Sequence, residues 1–76
     1  MNNIRSREGH IAWCKERALK YCDMGDVNSA FASISSDLKK HPDTENHPAI
    51  KLGFQLLLLG SISNPADMRK FIEGFN

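Results

Sequence analysis

Apolar residues recur every three or four positions along much of this chain, which is the spacing of amphipathic helices. From Ile4 to Cys22, one helical stripe can face a core, and it carries Ile4, Ile11, Cys14, Ala18 and Cys22. The segment boundaries are marked by glycine, proline and capping residues, and no strand pattern accompanies them. The pattern therefore predicts an all-α fold.

The first two predicted helices form a hairpin. Helix one ends near Asp23, where Gly25 suits a left-handed cap, and Asp26 suits the N-terminal cap of helix two. Helix two runs to about Lys40 and is stopped by Pro42. Its apolar face comprises Val27, Ala30, Phe31, Ile34 and Leu38. Because the connecting turn is short, we expect the two helices to be antiparallel neighbours.

The third predicted helix runs from about Pro48 to Gly60 and is apolar around most of its circumference. Only Lys51 and Gln55 are strongly polar within it. A helix of this kind is buried on several sides. We expect it to be the central helix of the bundle, and the alternative is a helix lying in a subunit interface of a homo-dimer.

The fourth predicted helix starts at Ser63 or Asn64, with Pro65 in its first turn, and ends at Gly74. It buries an apolar face made of Met68, Phe71 and Ile72, and Phe75 is expected to fold back onto it. Residues 1–76 are thus predicted to form one helical domain, a compact bundle of about four short helices.

Trp13 does not fit the pattern of helix one, because helical geometry places it nearly opposite the apolar stripe. Its neighbours on that face are polar, namely His10, Glu16, Arg17 and Lys20. A tryptophan among charged residues is typical of interface hot spots, so these five residues form the predicted partner-binding site. The alternative is that a later helix covers the indole, because exposing it is unfavourable.

Charge and size constrain the partner. The net charge is +1, yet the first 20 residues carry five basic side chains against two acids. A specific nucleic-acid domain usually has a stronger basic footprint, so DNA or RNA binding is an alternative and not the favoured function. A chain of 76 residues buries a small core, which makes self-association a further alternative.

The two cysteines are predicted to be free, buried thiols. Cys14 and Cys22 are eight residues apart on one helix, about 12 Å along its axis, which is too far for a disulfide. Free cysteines favour a reducing compartment. The longest apolar run, Leu56 to Leu59, is too short to cross a bilayer, and no signal peptide is evident. We therefore expect a soluble, cytoplasmic protein without a membrane partner.

Metal and catalytic sites find little support in the sequence. His41, Asp43, Glu45 and His47 alternate and would point the same way in an extended chain, but they match no strong zinc signature. His10 and Cys14 share a helical face and would need further ligands from elsewhere. No phosphate-binding glycine loop is present, and the cysteines are expected to be buried. We expect no cofactor, no metal and no enzymatic activity.

The first hairpin resembles a tetratricopeptide repeat. The positions that carry the resemblance are Ala18, Tyr21, Gly25, Ala30, Ile34 and Pro42, with Trp13 one residue from the usual tryptophan position. Arg17 and Asp37 stand where the repeat prefers apolar or small residues, and one copy is visible. The resemblance implies two antiparallel helices, and its binding face would comprise Ala12, Lys15, Leu19 and Asp23.

Most of the chain resembles a family of very small proteins of tailed bacteriophages. The pattern comprises Trp13-Cys14-Lys15, Ala18-Leu19-Lys20-Tyr21, Gly25-Asp26, residues 36–44 and the ending Phe71-Ile72-Glu73-Gly74-Phe75-Asn76. The family has no settled activity, and small non-enzymatic phage proteins commonly act by stoichiometric binding. The resemblance implies a protein of the host-cell cytoplasm that inhibits a host protein or ribonucleoprotein complex, most concretely an anti-CRISPR or other anti-defence inhibitor.

Overall fold

The computed structural model describes residues 6–75, and its regular elements in this range are four α-helices without any strand. They are α1 (Arg7–Asp23), α2 (Val27–Leu38), α3 (Pro48–Leu58) and α4 (Pro65–Gly74). The predicted all-α bundle of four short helices is confirmed. Ile4, where the first helical pattern begins, lies outside the described residues. Within residues 6–75 no helix combines the length and the apolar character that crossing a membrane requires.

Polar side chains cap the helix N-termini. The Ser6 hydroxyl accepts from the Gly9 amide, Asp26 from the Ser29 amide and Asn64 from the Asp67 amide, which satisfies backbone donors that have no partner inside a helix. Glycines with φ of 78° follow α1 and α3, at Gly25 and Gly60. Helix α2 ends at Leu38, two residues before the predicted Lys40.

The core lies between α1, α2 and α4. Helix α1 contacts α2 most extensively and then α4. The buried apolar residues are Ile11, Cys14, Ala18, Cys22, Ala30, Ile34, Leu38, Ala49, Ile62, Met68 and Ile72. Ala18 and Ala30 are completely buried, as close packing of two helices requires. The predicted apolar stripes of the first two helices therefore do face the core.

Helix α4 is also tied to α1 by polar contacts. The Lys15 ammonium donates to the main-chain oxygens of Phe75 and Glu73, at the carboxyl end of α4. Arg69 of α4 pairs with Asp23 of α1. The Phe75 ring lies 5.6 Å from that of Phe71, so the expected fold-back of Phe75 onto α4 is confirmed.

Helix α3 is not the central helix, and that prediction is wrong. Its buried residues are Ala49 and Gly53, whereas four large apolar side chains of the helix and its C-cap residue Leu59 are exposed: Leu52 (49%), Phe54 (57%), Leu58 (72%) and Leu59 (78%). Most of the buried core residues come from the other three helices, and Ile50, Leu56 and Leu57 of α3 pack against that core from one side. Helix α3 therefore lies at the edge and contacts mainly α2. Gly53 is its point of closest approach, since a Cβ there would lie 2.5 Å from Phe31 Cε1.

Candidate partner-binding site

The middle of α1 and the end of α2 meet at a buried carboxylate. The Asp37 side chain is 2% exposed, and it accepts from Arg17 Nε at 2.7 Å and from Lys40 Nζ at 3.0 Å. Such charge-assisted bonds offset the cost of burying the carboxylate. Hydrogen bonding to Asp37 raises the pKa of the Arg17 guanidinium, which therefore stays positively charged. Asp37 thus holds two cations in place.

These two cations lie over the Trp13 ring. The Arg17 guanidinium carbon is 4.8 Å from the ring centroid, and Lys40 Nζ is 5.6 Å from it, distances at which cation–π attraction operates. The His10 ring stacks on Trp13 with 5.6 Å between centroids. Trp13 is half-buried, and it packs against the hydrophobic core on its inner side. The indole is therefore neither a core residue nor a fully exposed one.

The prediction that His10 lies on an exposed face is wrong. The residue is 5% exposed, and its Nε2 donates to the main-chain oxygen of Asp37 at 2.8 Å. Its ring also lies 5.1 Å from the ring of His41, just beyond α2. The end of α2 covers His10 because the hairpin is antiparallel. His10 therefore stacks on Trp13 from inside the fold, and its burial keeps it from contacting a partner.

The other predicted side chains remain at the surface. Glu16 and Lys20 are exposed, and the side chains of Arg17 and Lys40 are 47% and 54% exposed. We call the surface formed by Trp13, Glu16, Arg17, Lys20 and Lys40 the Trp13 face. It combines an aromatic ring with three cations and one acid, and the buried Asp37 bonds to two of the cations.

A shallow groove of about 280 Å³ adjoins the Trp13 face. Arg17, Asp37 and Lys40 line it, together with Tyr21, Ala32 and three serines of α2, namely Ser29, Ser33 and Ser36. The Ser33 hydroxyl is buried and has no hydrogen-bond partner among residues 6–75. The groove presents two cations that are already bonded to Asp37 and half exposed.

The binding face implied by the tetratricopeptide resemblance contacts α4 through two of its residues. Of its residues, Lys15 bonds to the end of α4, Asp23 pairs with Arg69, and Leu19 packs against the core. Ala12 remains exposed.

The segment of residues 41–47 forms turns and is not extended, so its side chains do not point the same way. His41 Nδ1 accepts from the Asp43 amide, and His47 Nδ1 accepts from the Ala49 amide at the start of α3. Asp43 and Glu45 are exposed. Across residues 6–75 no three His, Cys, Asp or Glu side chains gather in a way that could hold a metal ion.

Both cysteines are buried free thiols, as expected. Burial raises the pKa of Cys14 to about 11, with a further contribution from the negative charge of Asp37. Burial also raises the pKa of Cys22. Both groups are therefore protonated at neutral pH, a state in which a cysteine is a poor nucleophile.

Sequence reasoning missed Asp37 and Lys40 as members of the site. The signal was present, since Arg17 and Asp37 are the two positions at which the hairpin departs from the tetratricopeptide pattern. The structure shows that the two departures belong together, because these residues form an ion pair across the hairpin. No feature of the sequence indicated that Lys40 belongs to the site.

Comparison with known proteins adds no relative, since neither a family model, nor a curated protein, nor a solved structure matches this chain.

Proposed function

We propose that this protein is a phage-encoded, non-enzymatic binding protein that attaches through the Trp13 face to a host protein complex and inhibits it. The most concrete target is a CRISPR complex or another defence complex of the host cytoplasm. The observation that supports the proposal is the buried Asp37, which holds Arg17 and Lys40 beside Trp13 while both remain half exposed. Cations held in place before binding lose little side-chain entropy on binding.

The partner surface that fits this face is an acidic protein surface. A carboxylate that enters the groove beside Arg17 and Lys40 would meet two cations, while Trp13 supplies apolar contact area. Nucleic acid fits less well. Glu16 and Asp37 offset two of the three cations, and a phosphate backbone favours a longer, uncompensated basic surface.

The proposal is tested by affinity capture from bacterial lysates, with nuclease treatment, at low and moderate salt. The informative variant is Lys20→Glu, and the matched control is Lys70→Glu on α4, because both lysines are exposed and both changes alter the charge equally. We expect one stoichiometric protein complex, retained by the control and lost in Lys20→Glu. Loss in both variants, or retention in both, would contradict the site. Recovery of nuclease-sensitive material alone would favour a nucleic-acid-binding accessory protein instead.

Inhibition is tested separately by phage plating on bacteria with an active CRISPR system against that phage. Expression of the wild-type protein and of Lys70→Glu should restore plaque formation, whereas expression of Lys20→Glu should not. Restoration by all three proteins would show that the Trp13 face is not the inhibitory surface. No restoration in any defence-positive strain would contradict the anti-defence function.

A further inference from the structure

The outward surface of α3 is arranged symmetrically about Gln55. At 100° per residue, four side chains lie within about 60° of Gln55 around the helix, two on either side: Leu52 and Leu59, and Lys51 and Leu58. Along the helix axis, Lys51 and Leu52 precede Gln55 by about one turn, and Leu58 and Leu59 follow it by about one turn. All five residues are exposed. We call this surface the α3 face.

We propose that the α3 face binds the α3 face of a second copy, with the two helices antiparallel and a two-fold axis passing between the two copies of Gln55. In this arrangement Leu52 of each copy packs against Leu59 of the other. Lys51 of each copy lies beside Leu58 of the other. Each contact occurs twice, as a two-fold interface requires.

The polar residues of the α3 face are complementary to themselves. A glutamine amide both donates and accepts, so two copies of Gln55 can hydrogen-bond to each other across the axis. Lys51, the only charged residue of α3, does not meet its own copy. Its ammonium reaches the carboxyl end of the other α3, where main-chain carbonyls carry partial negative charge. The face therefore contains polar groups and yet does not repel a second copy.

The exposed apolar area is sufficient for a weak dimer. The three leucines of the α3 face are 49%, 72% and 78% exposed, so a pair of these faces buries at most roughly 1,000 Å², near the lower limit for a specific interface. With about half of this area on each copy, the apolar patch is comparable to the largest patch on a typical monomer, and such patches are often functional. We therefore expect a dimer that forms reversibly in the micromolar range.

Dimerisation leaves the Trp13 face unobstructed, because the two surfaces share no residue. One dimer would present two Trp13 faces, which allows a partner with two equivalent sites to be held more tightly than by a monomer. This inference stands apart from the proposed function, since it holds whether or not a host complex is bound.

The test is sedimentation velocity on the full chain from about 1 to about 500 µM. We expect the mass to rise from 8.5 kDa to about 17 kDa. Gln55→Glu and Gln55→Lys each place like charges across the axis and should each stay monomeric. An equimolar mixture of these two variants should dimerise again, since a Glu–Lys pair then spans the axis. Asn28→Asp, an amide-to-acid change at another exposed helical position, is the matched control and should dimerise like the wild type.

Circular dichroism of each variant checks that the helices are intact, which we expect because position 55 is exposed. Three results would overturn the proposal. They are a wild-type mass of 8.5 kDa at every concentration, a dimer that both Gln55 variants still form, and a monomer that binds phosphatidylglycerol vesicles through the Leu58 region. The last result would identify the α3 face as a lipid-binding surface.

Discussion

The end of α2 and the outer side of α3 differ in a way that reverses the usual distribution of side chains. At the end of α2 a carboxylate and an imidazole are buried, whereas α3 exposes four large apolar side chains. A buried polar group and an exposed apolar patch are the informative deviations in a folded protein. At the end of α2, the buried Asp37 and His10 contact residues of the Trp13 face. The domain leaves the apolar residues of α3 where a second molecule can cover them.

The largest expected difference in the free energy of unfolding is between alanine substitutions at two leucines, one buried and one exposed. Leu38 is completely buried at the end of α2, and Leu58 is 72% exposed on α3. Leu38→Ala removes core contacts and leaves a cavity, so we expect a loss of about 2–5 kcal/mol in the free energy of unfolding. Leu58→Ala should change it by less than about 0.5 kcal/mol. Urea denaturation at low micromolar concentration measures both. Equal losses would mean that α3 belongs to the core.

Alkaline pH should destabilise the α1–α2 region through Cys14. Its pKa is raised from 9.0 to about 11 in the folded protein, so the thiol ionises first in the unfolded chain. Stability is therefore unaffected below about pH 9 and falls as the pH rises towards about 11, by up to about 3 kcal/mol. Thermal unfolding of wild type and Cys14→Ala between pH 8 and 11 isolates this contribution. A wild-type slope no steeper than that of Cys14→Ala would refute it.

Removing the buried charge of Asp37 should lower the free energy of unfolding by less than truncating Leu38 does. Asp37→Asn keeps the shape but weakens the bonds to Arg17 and Lys40, which are half exposed and can return to water. We expect a loss of about 1–3 kcal/mol, together with a change in Trp13 fluorescence as both cations leave the ring. Asp43→Asn, at an exposed turn position, is the control and should show neither effect. An unchanged fluorescence spectrum in Asp37→Asn would argue against the positioning role of Asp37.

The smallest expected effect on stability is at Gly53, where α3 packs against Phe31 and Phe71. Gly53→Ala adds a Cβ that would lie 2.5 Å from Phe31 Cε1 and 2.9 Å from Phe71 Cζ, so both rings must shift. Alanine is the better helix former by about 1 kcal/mol, which offsets part of the clash and leaves a net loss of about 1 kcal/mol. Gly74→Ala is the control, since its added Cβ meets nothing within 4 Å, and it should not destabilise. Urea denaturation of both variants decides the point.

The sequence predicted the core well because the core depends on local periodicity. The stripe of Ile11, Cys14, Ala18 and Cys22 is buried, and the capping residues lie where the helices begin and end. It failed for His10 and for α3, and both failures have the same cause. Periodicity says which face of a helix is polar or apolar, but it does not say which neighbour covers that face. His10 is covered by the end of α2, and α3 is left at the edge.

For the same reason the candidate site was recovered only in part. Trp13, Arg17 and Lys20 could be selected because they share one face of a single helix. Asp37 and Lys40 join them through contacts between helices, at separations of 20 or more residues from Arg17. A helical period does not reveal such pairs, although Arg17 and Asp37 both depart from the tetratricopeptide pattern.

The most direct test of the account is one capture experiment on two variants, Lys20→Glu and Gln55→Glu, with the mass of the protein measured in parallel. We expect Lys20→Glu to remain dimeric and to lose the host complex, because only the Trp13 face is altered. We expect Gln55→Glu to become monomeric and to retain the host complex, with weaker retention if the complex has two sites. If Gln55→Glu lost the complex while Lys20→Glu kept it, partner binding would reside on α3, and the function proposed for the Trp13 face would be wrong.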